Sequence, residues 1–198
     1  MEEIKTKTYS SYDEYIAHQK SKANHGTELH KRLLNELWAP DCEGFRKNFE
    51  KHNDILTKEC KNALCLGART GQEVFVLKEL GLDAIGVDLV DNPPLVFSGD
   101  VHDLKFVDSS YDFIFSNIFD HVLYPEKFIK EIERVIKPNG YVLLHLSIND
   151  TEDVHSANVL HSSEAVVKLF TKEIEILINK PLGQKDWPAY WEFLVKVK

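Results

Sequence analysis

The sequence predicts an α/β fold of the doubly wound kind: a mostly parallel sheet covered by helices on both faces and closed by an antiparallel hairpin. Three observations carry this. From residue 62 onward, short apolar runs alternate with helical stretches, the rhythm of strand–helix–strand units. Those runs are continuously apolar, which suits strands buried on both faces of a parallel sheet. Near the end, two strand-like runs follow each other with only a turn region between them. Neighbours joined that way must pair antiparallel, because parallel pairing needs a longer crossover.

The elements follow in order. Ser11 with Glu14 three residues on forms a capping box, and Tyr12 to Lys22 contains no Gly or Pro, so a helix is expected there. A second helix is expected over Thr27 to Trp38, with Leu29, Leu33, Leu34 and Leu37 on one face. Pro40 and Gly44 should break the chain before a third helix over Phe45 to Glu59, whose buried side would hold Phe45, Phe49 and Leu56.

Next come a strand at Ala63–Leu66, a helix from Gln72 to Leu80, and strands at Ala84–Asp88, Pro94–Ser98 and Asp112–Ser116. A covering helix runs from Pro125 to Ile136. Its Phe128, Ile129, Ile132, Val135 and Ile136 face inward, and Lys137-Pro138-Asn139-Gly140 turns the chain into a strand at Tyr141–Leu146. A helix at Ser163–Phe170 leads to the strand Ile174–Ile178, a turn region with Pro181, Gly183 and Pro188, and a last strand at Tyr190–Val197. Trp187, Tyr190 and Trp191 read as core and edge packing.

Length and composition bound the function. The chain has 198 residues, enough for one domain with a sizeable core, and 43% hydrophobic with 28% charged residues describes a globular rather than a disordered chain. A net charge of −8 works against a general nucleic-acid binder, which needs a basic face. No apolar run approaches the ~20 residues that span a bilayer, and the first ten residues lack the apolar stretch of a secretory signal. Cys42, Cys60 and Cys65 have no metal-ligand spacing and read as reduced thiols, so a cytoplasmic protein is expected. No pair of histidines shows the i, i+4 spacing of a metal site, and none is expected. His145, His155 and His161 read as surface or supporting residues.

The segment Leu64-Cys65-Leu66-Gly67-Ala68-Arg69-Thr70-Gly71-Gln72-Glu73 joins the first strand of this series to its helix. Ligands of open parallel sheets bind beyond the carboxyl ends of the strands, where this loop lies. Glycine lets backbone approach a ligand closely, and the helix start offers free N–H groups. Asp88 ends the next strand, 21 residues beyond Gly67, where a carboxylate can accept from both hydroxyls of a ribose. A dinucleotide fingerprint starting at Gly67 would need glycines at 69 and 72, which hold Arg69 and Gln72. A nicotinamide-dependent oxidoreductase is thereby disfavoured.

From about Ala63 to Leu146 the chain resembles the class I S-adenosylmethionine-dependent methyltransferases, of the subgroup with small substrates (methyltransferase type 11-like). CLGARTGQE, GVDL, SGDVHDLKF and YDFIFSNIFDHVLYPEKFIKEIERVIKPNGYVLLHL carry the likeness. It implies a Rossmann-like sheet of seven strands, the last antiparallel, in a single domain: a helical cap over residues 1–60 and a core over 61–198. It also implies S-adenosylmethionine as cofactor, with Gly67, Ala68 and Gly71 lining its methionine moiety. Asp88 would hold the ribose, Leu89 would pack on the adenine, Asp100 would accept from the adenine amino group and Val101 would contact the ring. Ser116 and Asn117 would sit near the amino-acid part or the transferred methyl.

Two positions depart from the pattern. Cys65 stands where an acidic residue usually helps to organise the methionine ammonium. Arg69 replaces the middle glycine, and can turn away or pair with the methionine carboxylate.

Methyl transfer from a sulfonium is an in-line displacement, so positioning supplies much of the catalysis. His121, with Asp120 beside it, is the candidate base for a hydroxyl or amine acceptor. Tyr9, Tyr12, Tyr15, His18, Gln19, Lys20 and Lys22 form a candidate lid over the methionine end. The acceptor is expected to be a small molecule or glycan-like. The Asn/Asp-Pro-Pro-aromatic motif of base methylation has no counterpart at Ser116-Asn117-Ile118-Phe119. The other class of reading, a non-catalytic binding or partner module with a degenerate cofactor loop, draws on Arg69 and Cys65.

Overall fold

The computed structural model describes residues 4–148, 154–183 and 190–198. Seven strands form one sheet: β2 (Asn62–Leu66), β3 (Asp83–Asp88), β4 (Val96–Ser98), β5 (Tyr111–Ser116), β6 (Ile136–Ser147), β8 (Ile174–Pro181) and β9 (Tyr190–Val197). Their order is β4-β3-β2-β5-β6-β9-β8. The first five are parallel, while β9 runs antiparallel to both β6 and β8. This is the doubly wound sheet with an antiparallel terminal hairpin that the sequence predicts. Pro188 and Trp187 lie outside the described residues.

Strand alternation divides the core into two layers. Leu64, Leu66, Ile114, Val142 and Leu144 face the helix α6 (Pro125–Val135), whose Phe128, Ile129, Ile132 and Val135 are fully buried. Ala63, Cys65, Phe113, Phe115 and Leu143 face the other way, against α3 (Trp38–Glu50), α4 (Asn53–Glu59) and α5 (Gln72–Glu79). Phe45, Phe49 and Leu56 are buried there, as their spacing predicts.

The N-terminal helices differ in their boundaries. α1 spans Tyr12–Ala23, and the Ser11 side chain accepts from the Glu14 amide as a cap should. Glu14 returns its bond one residue further out, to the Ser10 amide at 2.6 Å. α2 is only Glu28–Leu34 and buries His30 and Leu33, whereas Leu34 is exposed. The expected stripe of four leucines is therefore not its packed face. α3 starts at Trp38 and runs through Pro40 and Gly44, which were expected to break the chain. Pro40 sits in the first turn, where its missing N–H would have had no intrahelical partner. The break falls instead at Lys51–His52, between α3 and α4.

A further pair was not foreseen: β1 (Ile4–Thr6) runs antiparallel to β7 (Asn158–Leu160). Three-residue strands give too little pattern to read. Their pairing anchors the chain entry to α1 beside the segment that follows β6. The short helix α7 (Ser163–Val167) completes the fold. Among the described residues no helix is long and apolar enough to cross a membrane.

Candidate cofactor and acceptor site

The strand order reverses between β2 and β5, and the crevice at their carboxyl ends is where such a sheet binds ligands. The loop after β2 fills one side of it. Gly67, Arg69 and Gly71 all have positive φ, at 76°, 45° and 92°. A Cβ on Gly67 would lie 2.5 Å from the Ile118 side chain, so glycine is required there for packing as well as conformation. The turn is tied to β3, since the Gly67 and Ala68 amides donate to the Val87 carbonyl at 2.8 and 3.2 Å. The half-buried Asp88 adds a second tie, accepting from the Arg69 amide at 2.9 Å and the Val90 amide at 3.2 Å. Burial pushes the Asp88 carboxyl up from its ordinary range, against these backbone donors.

Above this loop lies a cleft of about 770 Å³, its open mouth included. One wall is Gly67, Arg69, Thr70, Asp88, Leu89, Asp100, Val101, Ile118 and His121 from the strand ends; the opposite wall is Tyr15, Gln19, Lys20 and Lys22 of α1 with His30 of α2. The helix flagged as a candidate lid thus covers the strand ends. It is latched at both ends of its contact. The Tyr12 hydroxyl donates to Asp100 at 2.5 Å and the Tyr15 hydroxyl to the His121 carbonyl at 2.9 Å. Burial raises the Asp100 carboxyl, but hydrogen bonds from His102 and Tyr12 outweigh it and bring it down to about 2.

Lys22 draws the acceptor end together. Its ammonium donates to Gln19 Oε1 at 2.7 Å and to the His155 carbonyl, and stands 3.2 Å from His121 Nδ1. His121 Nδ1 lies 3.0 Å from the same carbonyl. Nδ1 either accepts from Lys22 or donates to that carbonyl; in the second tautomer Nε2 carries the lone pair. Burial lowers the His121 pKa, and Lys22 and Arg69 lower it further against Asp120.

The predicted site residues fall into three groups. Gly67, Arg69, Asp88, Leu89, Asp100, Val101 and His121 line the main cleft. Ala68 and Asn117 line a recess that opens beside it and shares Gly67 and Arg69. Gly71, Ser116 and Asp120 line neither. Gly71 caps the start of α5, and Ser116, 1% exposed, donates its hydroxyl to the Leu66 carbonyl at 3.0 Å, tying β5 to β2. Asp120 Oδ2 is 3.9 Å from His121 Nε2, too far for a hydrogen bond.

Sequence reasoning missed His30, Asp41 and Glu73, which all line one or other space. Glu73 stood within the quoted loop, but helix position alone made it an ordinary first-turn acid. Two buried nitrogens in the cleft, Gln19 Nε2 and His30 Nε2, have no hydrogen-bond partner among the described residues. The carboxylate at Asp88 beside the apolar Leu89 and Val101 fits a nucleoside, whose ribose hydroxyls need an acceptor and whose base needs an apolar flank.

Residues 64–144 match the family model described as a methyltransferase domain. No curated protein matches in sequence. Among solved structures, the chain is similar to 1,6-didemethyltoxoflavin-N1-methyltransferase of Burkholderia thailandensis, a structure with bound 1,6-didemethyltoxoflavin and S-adenosylhomocysteine. That match has a TM-score of 0.70 at 14% identity, over 97% of this chain and 92% of that one. The PH0226 protein of Pyrococcus horikoshii OT3 matches at a TM-score of 0.61 and 16% identity, over 95% and 100% of the two chains. An S-adenosylmethionine-dependent methyltransferase of Aquifex aeolicus matches at 0.57 and 17%, over 77% and 89%. The segment similar to that domain is the run of strand–loop–helix units that builds the cleft, and the solved structures share the fold around it.

Proposed function

We propose that the chain transfers a methyl group to a small acceptor held beneath α1. The observation that carries this reading is the cleft itself, which is closed by Tyr15, Gln19 and Lys22 on one side and the glycine loop, Asp88 and His121 on the other. S-Adenosylmethionine, bound there, supplies an electrophilic methyl group. Asp88 would accept from the ribose hydroxyls, Leu89 and Val101 would flank the adenine, and Asp100 would take its amino group. Gly67, Ala68 and Asn117 would surround the amino-acid end, with the exposed Arg69 guanidinium on its carboxylate.

His121 acts on the acceptor. His121 Nε2 would take the proton of an acceptor hydroxyl or amine, freeing the lone pair that the acceptor uses as nucleophile. Burial and the Lys22 and Arg69 charges keep the ring neutral and ready for that proton at pH 7. Asp120, 3.9 Å from Nε2, stabilises the imidazolium that results. A cleft of about 770 Å³, its open mouth included, favours a small molecule, or one terminal sugar of a glycan-like acceptor, over a macromolecule.

Calorimetry with S-adenosylmethionine and S-adenosylhomocysteine tests the cofactor half of this. Wild type should bind micromolar ligand, and Asp88→Ala should bind tenfold or more weakly, a loss of ~1.4 kcal/mol or more. A folded wild type that binds neither ligand refutes the reading.

A further inference from the structure

We infer that Glu73 supplies the negative charge for the α-ammonium of the cofactor, a role that position 65 cannot fill in this chain; the inference rests on the reading above. Three observations lead to it. Cys65 is fully buried in the layer beneath α3 and α5, and burial and the neighbouring Glu73 carboxylate push its thiol well above the ordinary range. It neither ionises nor reaches the cleft. α5, which carries Glu73 in its first turn, packs on the face of the sheet that holds Cys65.

Glu73 lines the recess formed with Gly67, Ala68, Arg69 and Asn117, the part of the site that surrounds the amino-acid end. It is 4% exposed.

The third observation is a comparison of buried glutamates. Glu133 is 3% exposed and accepts from the Thr171 and Lys172 amides and the Thr171 hydroxyl at 2.6–2.7 Å. Glu192, 2% exposed, accepts from His52 Nε2 at 2.9 Å. Glu73 is met by its own amide, and among the described residues no ion pair joins it to a cation; Arg69 acts on it only at longer range. Asp41 and Asp88 add negative charge nearby, and with burial they leave its carboxyl raised to about 8. A buried carboxylate without a counterion is costly, and persists where a bound cation completes it. The amino-acid end of the cofactor carries one. Arg69 and Glu73 then form a matched pair for the two charges of that end.

The test uses two ligands: S-adenosylhomocysteine, and 5′-methylthioadenosine, which keeps the nucleoside and the sulfur but lacks the amino-acid group. Glu73→Gln should lower affinity for the first tenfold or more and leave the second within twofold of wild type. Glu73→Asp, which keeps the charge on a shorter arm, should recover part of the loss. Equal affinity of wild type and Glu73→Gln for S-adenosylhomocysteine overturns the assignment. So does an equal loss for both ligands, which would mark a structural role. A wild type that binds neither ligand overturns the cofactor reading, and this assignment with it.

Discussion

Replacing Glu73 by glutamine should stabilise the ligand-free protein, and by an amount that depends on pH. In the unfolded chain the carboxyl ionises near its ordinary value of 4.5, whereas burial in the fold raises it to about 8. Between those values the folded state holds a proton that the unfolded state has lost. Stability therefore falls as pH rises through this window, and levels off above the folded value. The full span is about 3.5 units, or ~5 kcal/mol at 1.36 kcal/mol per unit, with ~3 kcal/mol of it already present at pH 7. Glutamine has the same shape and no charge, so it escapes this cost.

Thermal unfolding of wild type and Glu73→Gln at a series of pH values from 5 to 9 reads the effect directly. For a domain of this size ~3 kcal/mol corresponds to roughly 6–12 °C in Tm. The two proteins should coincide near pH 5, and the variant should gain steadily above it. Other titrating groups are common to both and largely cancel in the difference. Parallel curves, or a variant less stable at pH 8, would refute the reasoning, since either result means the carboxylate is well solvated or paired. The same substitution should raise stability and lower affinity for S-adenosylhomocysteine, a trade that marks a residue held for binding rather than for folding.

Three further outcomes follow from the geometry. If His121 is the base, kcat/KM should rise with pH along a limb below 6.5, the ordinary histidine value from which the fold lowers it; Lys22→Met, removing a cation 3.2 Å away, should move that limb to higher pH. Arg69→Gly should relieve a left-handed backbone and raise unfolding stability slightly, by about 0.5–1 kcal/mol, while weakening binding of S-adenosylhomocysteine but not of 5′-methylthioadenosine. Glu192→Ala, which removes the hydrogen-bond partner of the buried His52, should cost about 1–3 kcal/mol in denaturant unfolding, in contrast to Glu73→Gln.

What was legible in the sequence, and what was not, divides along the reach of local patterns. Continuous apolar runs placed strands β2, β3, β5 and β9, and helical spacing the helices α5 and α6, to within a residue or two, because each buries most of its length or one whole face. Val96–Ser98 is shorter than the expected Pro94–Ser98, since prolines 93 and 94 have no N–H to give a ladder. The leucines of α2 misled because hydrophobicity there does not track burial: His30 is packed and Leu34 is not. The site shows the same limit. Gly67 and Asp88 stand at spacings that a strand–turn–helix unit imposes, and both line the cleft, whereas Gly71, expected beside them, caps α5 instead. His30, Asp41 and Glu73 come from three different helices, and nothing local distinguishes them from ordinary surface residues. Only the packing of α2 and α3 against the loop turns them inward. The departures at Cys65 and Arg69 look like losses when the motif is read in one dimension. In three dimensions, a carboxylate at 73, in the first turn of α5, lines the recess that Cys65 does not reach. A motif specifies where charge must stand in space, and more than one position along the chain can deliver it.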